Sequence, residues 1–410
     1  MINNNHIGTV RFLVRVVLSI WILLAAFTIV GCQNEESEQV VMPDKICEPQ
    51  AEAVDIAPKE DLLSQMIKDM TLSDMIYQMM FVTPESLSGY SPVVNVEDSL
   101  VSALAGKPVG GIIYFASNFE NPYQTARLIN DISSASRIPL FMGVDEEGGR
   151  VSRLGKNPDM NVTLHPPMSE IGSLKNPQTA YDTGAILGRE LKGLGFNVDF
   201  APNADVLINP DNTEIGNRSF GTDPSVVALM VENVVRGIKD NGVCAALKHF
   251  PGHGSTTVDS HTGYSSSSRT LEELRNCEFL PFKAGIEAGA EFVMVSHMTL
   301  TDATEEKIAS SLSQEVITNM LREELGFEGI VITDSFSMGA ITKIYTQSQA
   351  TLMAVKAGAD MILMPHNLQE CHDALMNAVE SGEISAQRIE QSVRRILELK
   401  ITKNIINTNQ

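Results

Sequence analysis

Val243-Cys244-Ala245-Ala246-Leu247-Lys248-His249-Phe250-Pro251-Gly252-His253-Gly254-Ser255-Thr256-Thr257-Val258-Asp259-Ser260-His261 changes character part of the way along. Residues 243–247 are an unbroken apolar run, the length of a strand buried on both faces. A Gly- and Pro-rich loop follows, carrying Lys248, His249, His253, Asp259 and His261. Such a loop belongs at the surface, because a buried loop leaves backbone groups unsatisfied. Titratable side chains crowded where a strand opens into a loop are what an active site needs. Any one of these histidines alone reads as a solvated turn residue. One lysine, three histidines and one aspartate within residues 248–261 do not.

Seven further short apolar runs accompany this one, at 78–82, 111–115, 140–144, 197–202, 292–297, 329–333 and 360–364. Segments with apolar residues at helical spacing lie between them, among them 122–136, 179–193, 225–241, 270–289 and 314–325. Apolar strands alternating with amphipathic helices predict a parallel sheet covered on its outside. Eight such units within residues 58–410 predict a single catalytic domain of the α/β class, a (β/α)8 TIM-type barrel. A doubly wound open sheet is the competing architecture, and no Gly-x-Gly-x-x-Gly turn follows any of the strands. Residues 385–403 begin with a Ser cap and place Ile389, Val393, Ile396, Leu397 and Ile401 on one face, which predicts a closing helix. In a barrel, functional groups sit at the C-terminal ends of strands. Asp145, Asp199, Lys248, His249, His297 and Asp334 all occupy such places.

Four other stretches stand out beside residues 248–261. They are Gly143-Val144-Asp145-Glu146-Glu147-Gly148-Gly149-Arg150-Val151-Ser152-Arg153, Asn197-Val198-Asp199-Phe200-Ala201-Pro202, Ile215-Gly216-Asn217-Arg218-Ser219-Phe220-Gly221 and Ile332-Thr333-Asp334-Ser335-Phe336-Ser337-Met338. Together, over about residues 60–400, the chain resembles glycoside hydrolase family 3, specifically its β-N-acetylglucosaminidase (β-N-acetylhexosaminidase) branch in the single-domain lipoprotein form. The second α/β domain that many relatives carry is not expected here. The resemblance places the family's nucleophile on Asp334 and its acid/base on His261, oriented by Asp259. It places sugar recognition on Asp145, Arg153, Arg218, Lys248 and His249. Arg150 and His253 belong to the motifs as loop and barrel support. Ser255 stands where relatives often have an acidic residue, which leaves the Asp259–His261 pair intact.

These residue types suit the chemistry. Retaining hydrolysis of an acetal needs a nucleophile below the ring and a proton donor beside the leaving oxygen. A strand-end aspartate serves as the first, although alone it would read as a helix cap. Imidazole titrates near neutrality, and a carboxylate partner fixes its tautomer. Two residues apart in an extended loop, Asp259 and His261 point the same way. Arg153 and Arg218 also have a plainer reading, as partners of barrel carboxylates.

The N-terminus reads differently. Arg11 and Arg15 precede an apolar run, 16–30, that is shorter than the roughly 20 residues of a spanning helix. It ends at Val30-Gly31-Cys32, which resembles a lipoprotein signal peptide spanning residues 1–32 with lipidation on Cys32. Residues 33–57 are acidic and without apolar period, a disordered tether with a reach of roughly 25–30 Å. The expected location is extracytoplasmic, lipid-anchored to a bacterial cell membrane or secreted. Loss of Arg11 and Arg15 takes the formal charge from −21 to −23, which argues against nucleic acid or anionic membrane as ligand. Of five cysteines, Cys244, Cys277 and Cys371 lie within the fold without metal spacing, so neither zinc nor redox chemistry is expected. Cys244 reads as a buried thiol. No metal or other cofactor is implied, and a monomer is expected.

The leading expectation is an exo-acting retaining β-N-acetylglucosaminidase acting on terminal β-linked GlcNAc of peptidoglycan fragments or related glycans. A β-N-acetylglucosaminide phosphorylase uses the same site with phosphate as acceptor. A β-glucosidase or xylosidase is disfavoured by the histidine loop. A non-catalytic lipid-anchored sugar-binding protein has no use for an acid/base pair.

Overall fold

A computed structural model describes residues 56–256 and 265–407. The signal peptide, Cys32, residues 33–55 of the expected tether, Asp259 and His261 lie outside the described residues; Ile56 and Ala57, expected as the end of that tether, instead open the helix Ile56–Asp69. The barrel strands are β1 (Met80–Val82), β2 (Gly111–Tyr114), β3 (Phe141–Val144), β4 (Val198–Asp199), β5 (Cys244–Phe250), β6 (Phe292–Val295), β7 (Ile330–Thr333) and β8 (Ile362–Leu363). Every neighbouring pair is parallel, from Met80↔Ile362 between β1 and β8 round to Phe292↔Ile330 between β6 and β7. A parallel bridge, Ile332↔Met361, joins β7 to the residue leading into β8 and completes the ring. The expected eight-stranded (β/α)8 barrel is the fold.

Every residue of these strands is buried, which is why they appear in the sequence as continuous apolar runs. Aromatics fill the interior. Phe81 of β1 stacks against Phe141 of β3 at 6.5 Å and meets Phe200 edge-on at 5.3 Å, while Phe141 meets Phe292 of β6 at 5.2 Å. Glycine provides the room: a Cβ on Gly111 would stand 2.6 Å from the Phe81 ring, and one on Gly143 2.8 Å from Phe200. Lys400 is fully buried, with Nζ 2.8 Å from Gln78 Oε1 and 5.0 Å from the Phe141 ring centre. Burial holds its amine well below the usual lysine range.

The closing helix is Ala386–Thr402, capped by Ser385, whose hydroxyl accepts from Arg388 N at 3.1 Å. Its five predicted apolar positions are all buried. The helix expected over 270–289 is two, Leu271–Asn276 and Phe279–Glu287. Pro281 explains the break, since in a continuous helix its ring would clash with the carbonyl of Cys277, where the chain turns away. Glu315–Glu324 is a wider π-type helix that still buries Val316, Ile317, Met320 and Leu321. Cys244 is buried, as its place in an apolar strand required.

Candidate active site

The end of β3 supplies three successive carboxylates with three different surroundings. Asp145 faces the barrel mouth. Glu146 turns back into its own loop, where its carboxylate accepts from the backbone N–H of Arg153 (2.7 Å), Leu154 (2.9 Å) and Gly155 (3.2 Å) and from the Ser152 hydroxyl. That loop returns Arg153 to within 3.3 Å of Asp145 and over the Phe115 ring at 5.3 Å. Glu147 points to the other side, where Arg218 clasps it with two parallel bonds of 2.8 and 2.9 Å.

Lys248, near the end of β5, ties the two halves together. Its ammonium is 2.7 Å from Asp145 and 2.6 Å from Glu147. Burial pushes the carboxyls of Asp145 and Glu147 up, but the cations beside them outweigh it and hold both below the ordinary carboxylate range. Those cations are Lys248 and Arg153 for Asp145, and Arg218 and Lys248 for Glu147. Burial disfavours the charged form of Lys248, yet its two carboxylates raise its pKa above the usual lysine value. His249 completes the wall, with Nε2 3.2 Å from Arg218 Nη2 and Nδ1 2.8 Å from Asp205.

Across the barrel, Asp334 follows β7. Its N–H donates to Val295 O at 2.9 Å, and one carboxylate oxygen accepts from Ser335 N at 2.7 Å. His297, at the end of β6, contacts Ser335 O at 2.9 Å and the Ser311 hydroxyl at 2.7 Å, which fixes the turn below the cavity wall. Asp145, Arg153, Arg218, Lys248, His249 and Asp334 line one cavity of about 400 Å³ at the C-terminal ends of the strands. Met294, Met338 and Met364 give it an apolar side. A larger cleft of about 630 Å³, lined among others by Glu305, Leu312, Met353 and Lys356, contains none of these groups. The smaller cavity is therefore the candidate active site.

Both flanks of residues 257–264 are anchored. Ser255 and Ser267 share a hydroxyl contact of 2.7 Å, and Asn212 Nδ2 donates to His253 O at 2.8 Å and Thr256 Oγ1 at 3.1 Å. His253 is buried, its Nδ1 3.0 Å from Thr256 Oγ1, and Arg150 bonds Glu214 O, so the two support residues sit in loop contacts. Among the described residues, no cluster of three His, Cys, Asp or Glu is arranged to hold a metal ion.

Asp199 occupies a strand end but does not line the cavity. It is fully buried, one oxygen accepts from Glu146 N at 3.0 Å, and the other has no hydrogen-bond partner among the described residues. Burial, with the nearby carboxyls of Glu146 and Asp145, raises it well above the ordinary aspartate value of 3.8 despite that bond and Lys248. A carboxyl raised on folding loses its contribution to stability as pH rises from about 4 through its folded value. Asp199→Asn, which cannot ionise, is therefore expected to gain Tm relative to the parent progressively between pH 4 and 8. Melting curves across that range check it, and a pH-independent difference would refute it.

Glu147 and Asp205 hold the wall together and were not singled out from the sequence. Glu147 had a signal, as the third carboxylate after an apolar run. Asp205 had none, lying 44 residues from its partner His249.

Carboxylates and cations gathered at the C-terminal mouth of a closed parallel barrel define an enzyme of the (β/α)8 class. The chain belongs to glycosyl hydrolase family 3, whose N-terminal domain description matches residues 71–399. It is 31% identical over 362 residues to beta-hexosaminidase A of Pseudoalteromonas piscicida, covering 82% of this chain and 60% of that protein. It is 33% identical over 318 residues to beta-hexosaminidase LpqI of Mycobacterium tuberculosis, covering 75% and 80%. A solved structure of a glycoside hydrolase family 3 beta-N-acetylglucosaminidase from Paenibacillus sp. matches with a TM-score of 0.77 at 37% identity, covering 82% and 63%. The chain thus spans less than two thirds of the Pseudoalteromonas and Paenibacillus proteins.

Proposed function

We propose that this chain is an exo-acting, retaining β-N-acetylglucosaminidase that releases terminal β-linked GlcNAc from peptidoglycan fragments or related glycans. The observation that carries the reading is the placement of Asp334 in the same cavity as Asp145, Arg153, Arg218, Lys248 and His249. The names of the relatives support the sugar class.

In this reading the Asp334 carboxylate attacks the anomeric carbon as the glycosidic C–O bond breaks, and His261 gives its proton to the departing oxygen. Water then attacks the glycosyl-Asp334 ester, passes a proton to His261 and returns the carboxylate. Asp259 orients His261. Asp145, with two acceptor oxygens, binds hydroxyls; Arg153, Lys248 and Arg218 supply donors, Arg153 and Lys248 also hold Asp145 in place, and His249 borders the sugar from the cavity wall. Lipidation at Cys32 anchors the enzyme outside the cytoplasm, where it meets wall fragments. The acceptor is water, and no metal takes part.

Nitrophenol release from aryl β-GlcNAc and aryl β-glucoside tests the class, with Asp334→Asn as control. Turnover of the GlcNAc compound alone, lost in the variant, is the expected result. Silence on both sugars from folded protein would instead leave a sugar-binding protein. His261→Ala is expected to lose far more rate on substrates with poor leaving groups than on nitrophenyl glycosides. Equal losses on both would exclude His261 as the acid.

A further inference from the structure

We propose that Asp205 is a positioning residue that sets the ring tautomer and orientation of His249 at the cavity wall. Asp205 lies on the loop after β4, is fully buried and does not line the cavity, so its influence passes through another group. Its carboxylate accepts from His249 Nδ1 at 2.8 Å, Asn203 Nδ2 at 2.9 Å, and the backbone N–H groups of His253 at 2.6 Å and His249 at 3.3 Å. On the far side of the ring, Arg218 Nη2 is 3.2 Å from His249 Nε2.

A guanidinium has donors only, so Nε2 presents its lone pair to Arg218. Nδ1 then carries the proton, and Asp205 receives it. The imidazole is held between an anion and a cation in a single tautomer, a role that buried carboxylates play behind other functional histidines. The same carboxylate fixes the backbone on either side of the Phe250-Pro251 turn, locating ring and main chain together. Without it, Nδ1 loses its acceptor. The other tautomer sets an N–H against Arg218, which is also the clasp on Glu147 and, through Glu147, a neighbour of Lys248.

The test is ¹⁵N NMR of the full chain labelled at its eight histidines, with His249 assigned through His249→Gln. In the parent, His249 is expected to be protonated at Nδ1 and bare at Nε2. Asp205→Ala is expected to shift it toward Nε2–H or an average. The same variant should lower kcat/KM on aryl β-GlcNAc roughly 10- to 100-fold, the scale of one lost charge-assisted hydrogen bond. Because His249 and the Arg218 it contacts both line the cavity proposed to hold the sugar, the rise in KM should exceed the fall in kcat. Asp205→Asn keeps an acceptor for the backbone N–H groups, serves if the alanine variant does not fold, and should fall between the two.

Parent protein protonated at Nε2 would overturn the proposal without any variant. So would an unchanged tautomer and KM in folded Asp205→Ala. The kinetic arm rests on the function proposed above, while the tautomer arm does not. Silence of the parent on aryl β-GlcNAc, with His249 protonated at Nδ1, counts against that function and supports the positioning role.

Discussion

Asp334→Asn is expected to lower kcat/KM on aryl β-GlcNAc by on the order of 10⁴-fold or more, with an unchanged melting temperature. The amide has nearly the shape of the carboxylate and keeps an oxygen for Ser335 N, now at 2.7 Å, so the turn after β7 has no reason to move. What it lacks is a nucleophilic oxygen. A companion variant separates this role from simple electrostatic support. Asp334→Gly leaves room for azide, which should restore bond cleavage and yield the α-glycosyl azide, because a single displacement inverts the anomeric centre. Recovery of a β product, or an active Asp334→Asn, would remove Asp334 from the nucleophile's role.

Lys248→Met is expected to be the most destabilising change in the wall, by about 3–5 kcal/mol near neutral pH. The ammonium is shared by Asp145 and Glu147 at 2.7 and 2.6 Å, and removing it leaves two carboxylates close together in a buried wall. Arg153 and Arg218 each still serve one of them, so collapse is not complete. The pH dependence identifies the cause. In the parent, cations hold both carboxyls low against the upward push of burial. With Lys248 gone, more of that push survives and both carboxyls titrate at higher pH, so the deficit should shrink as pH falls from 7 to 5. Denaturant melts at several pH values measure this, and a deficit that does not vary with pH would point to lost packing of the lysine stem instead.

The barrel was legible because strands buried on both faces must be continuously apolar, and eight such runs lie between helical patterns. Their ends were less legible. The runs at 197–202 and 360–364 keep regular strand only at Val198–Asp199 and Ile362–Leu363, and isolated contacts carry the pairing beyond them, among them Phe200 N–H to Val144 O and the bridges Asn203↔Lys248 and Ile332↔Met361. β5 runs the other way, reaching Phe250, since its last residues pair with β6 through Phe250↔Val295 and meet Asn203 through a bridge at Lys248. The strand-end rule placed Asp145, Lys248, His249 and Asp334 at the mouth. It did not separate them from Asp199, whose carboxyl serves only a backbone N–H and never reaches the cavity. Nor did it distinguish Asp145, Glu146 and Glu147, alike in charge and adjacent in sequence. The turn between them, invisible to composition, sends one to the cavity, one to its own loop and one to Arg218.

The wall from Arg153 through Asp145, Lys248, Glu147, Arg218 and His249 to Asp205 is an unbroken relay of neighbouring ionic and polar contacts. Its members therefore share one fate under mutation. Removing any one changes what the next is worth, so effects at adjacent positions will not add, and the cost of a second change depends on which came first. Paths that alter this wall one residue at a time pass through an unpaired buried charge, while paths that alter neighbours together do not. Its evolution is thus expected to proceed in coupled steps, however freely the outer helices drift.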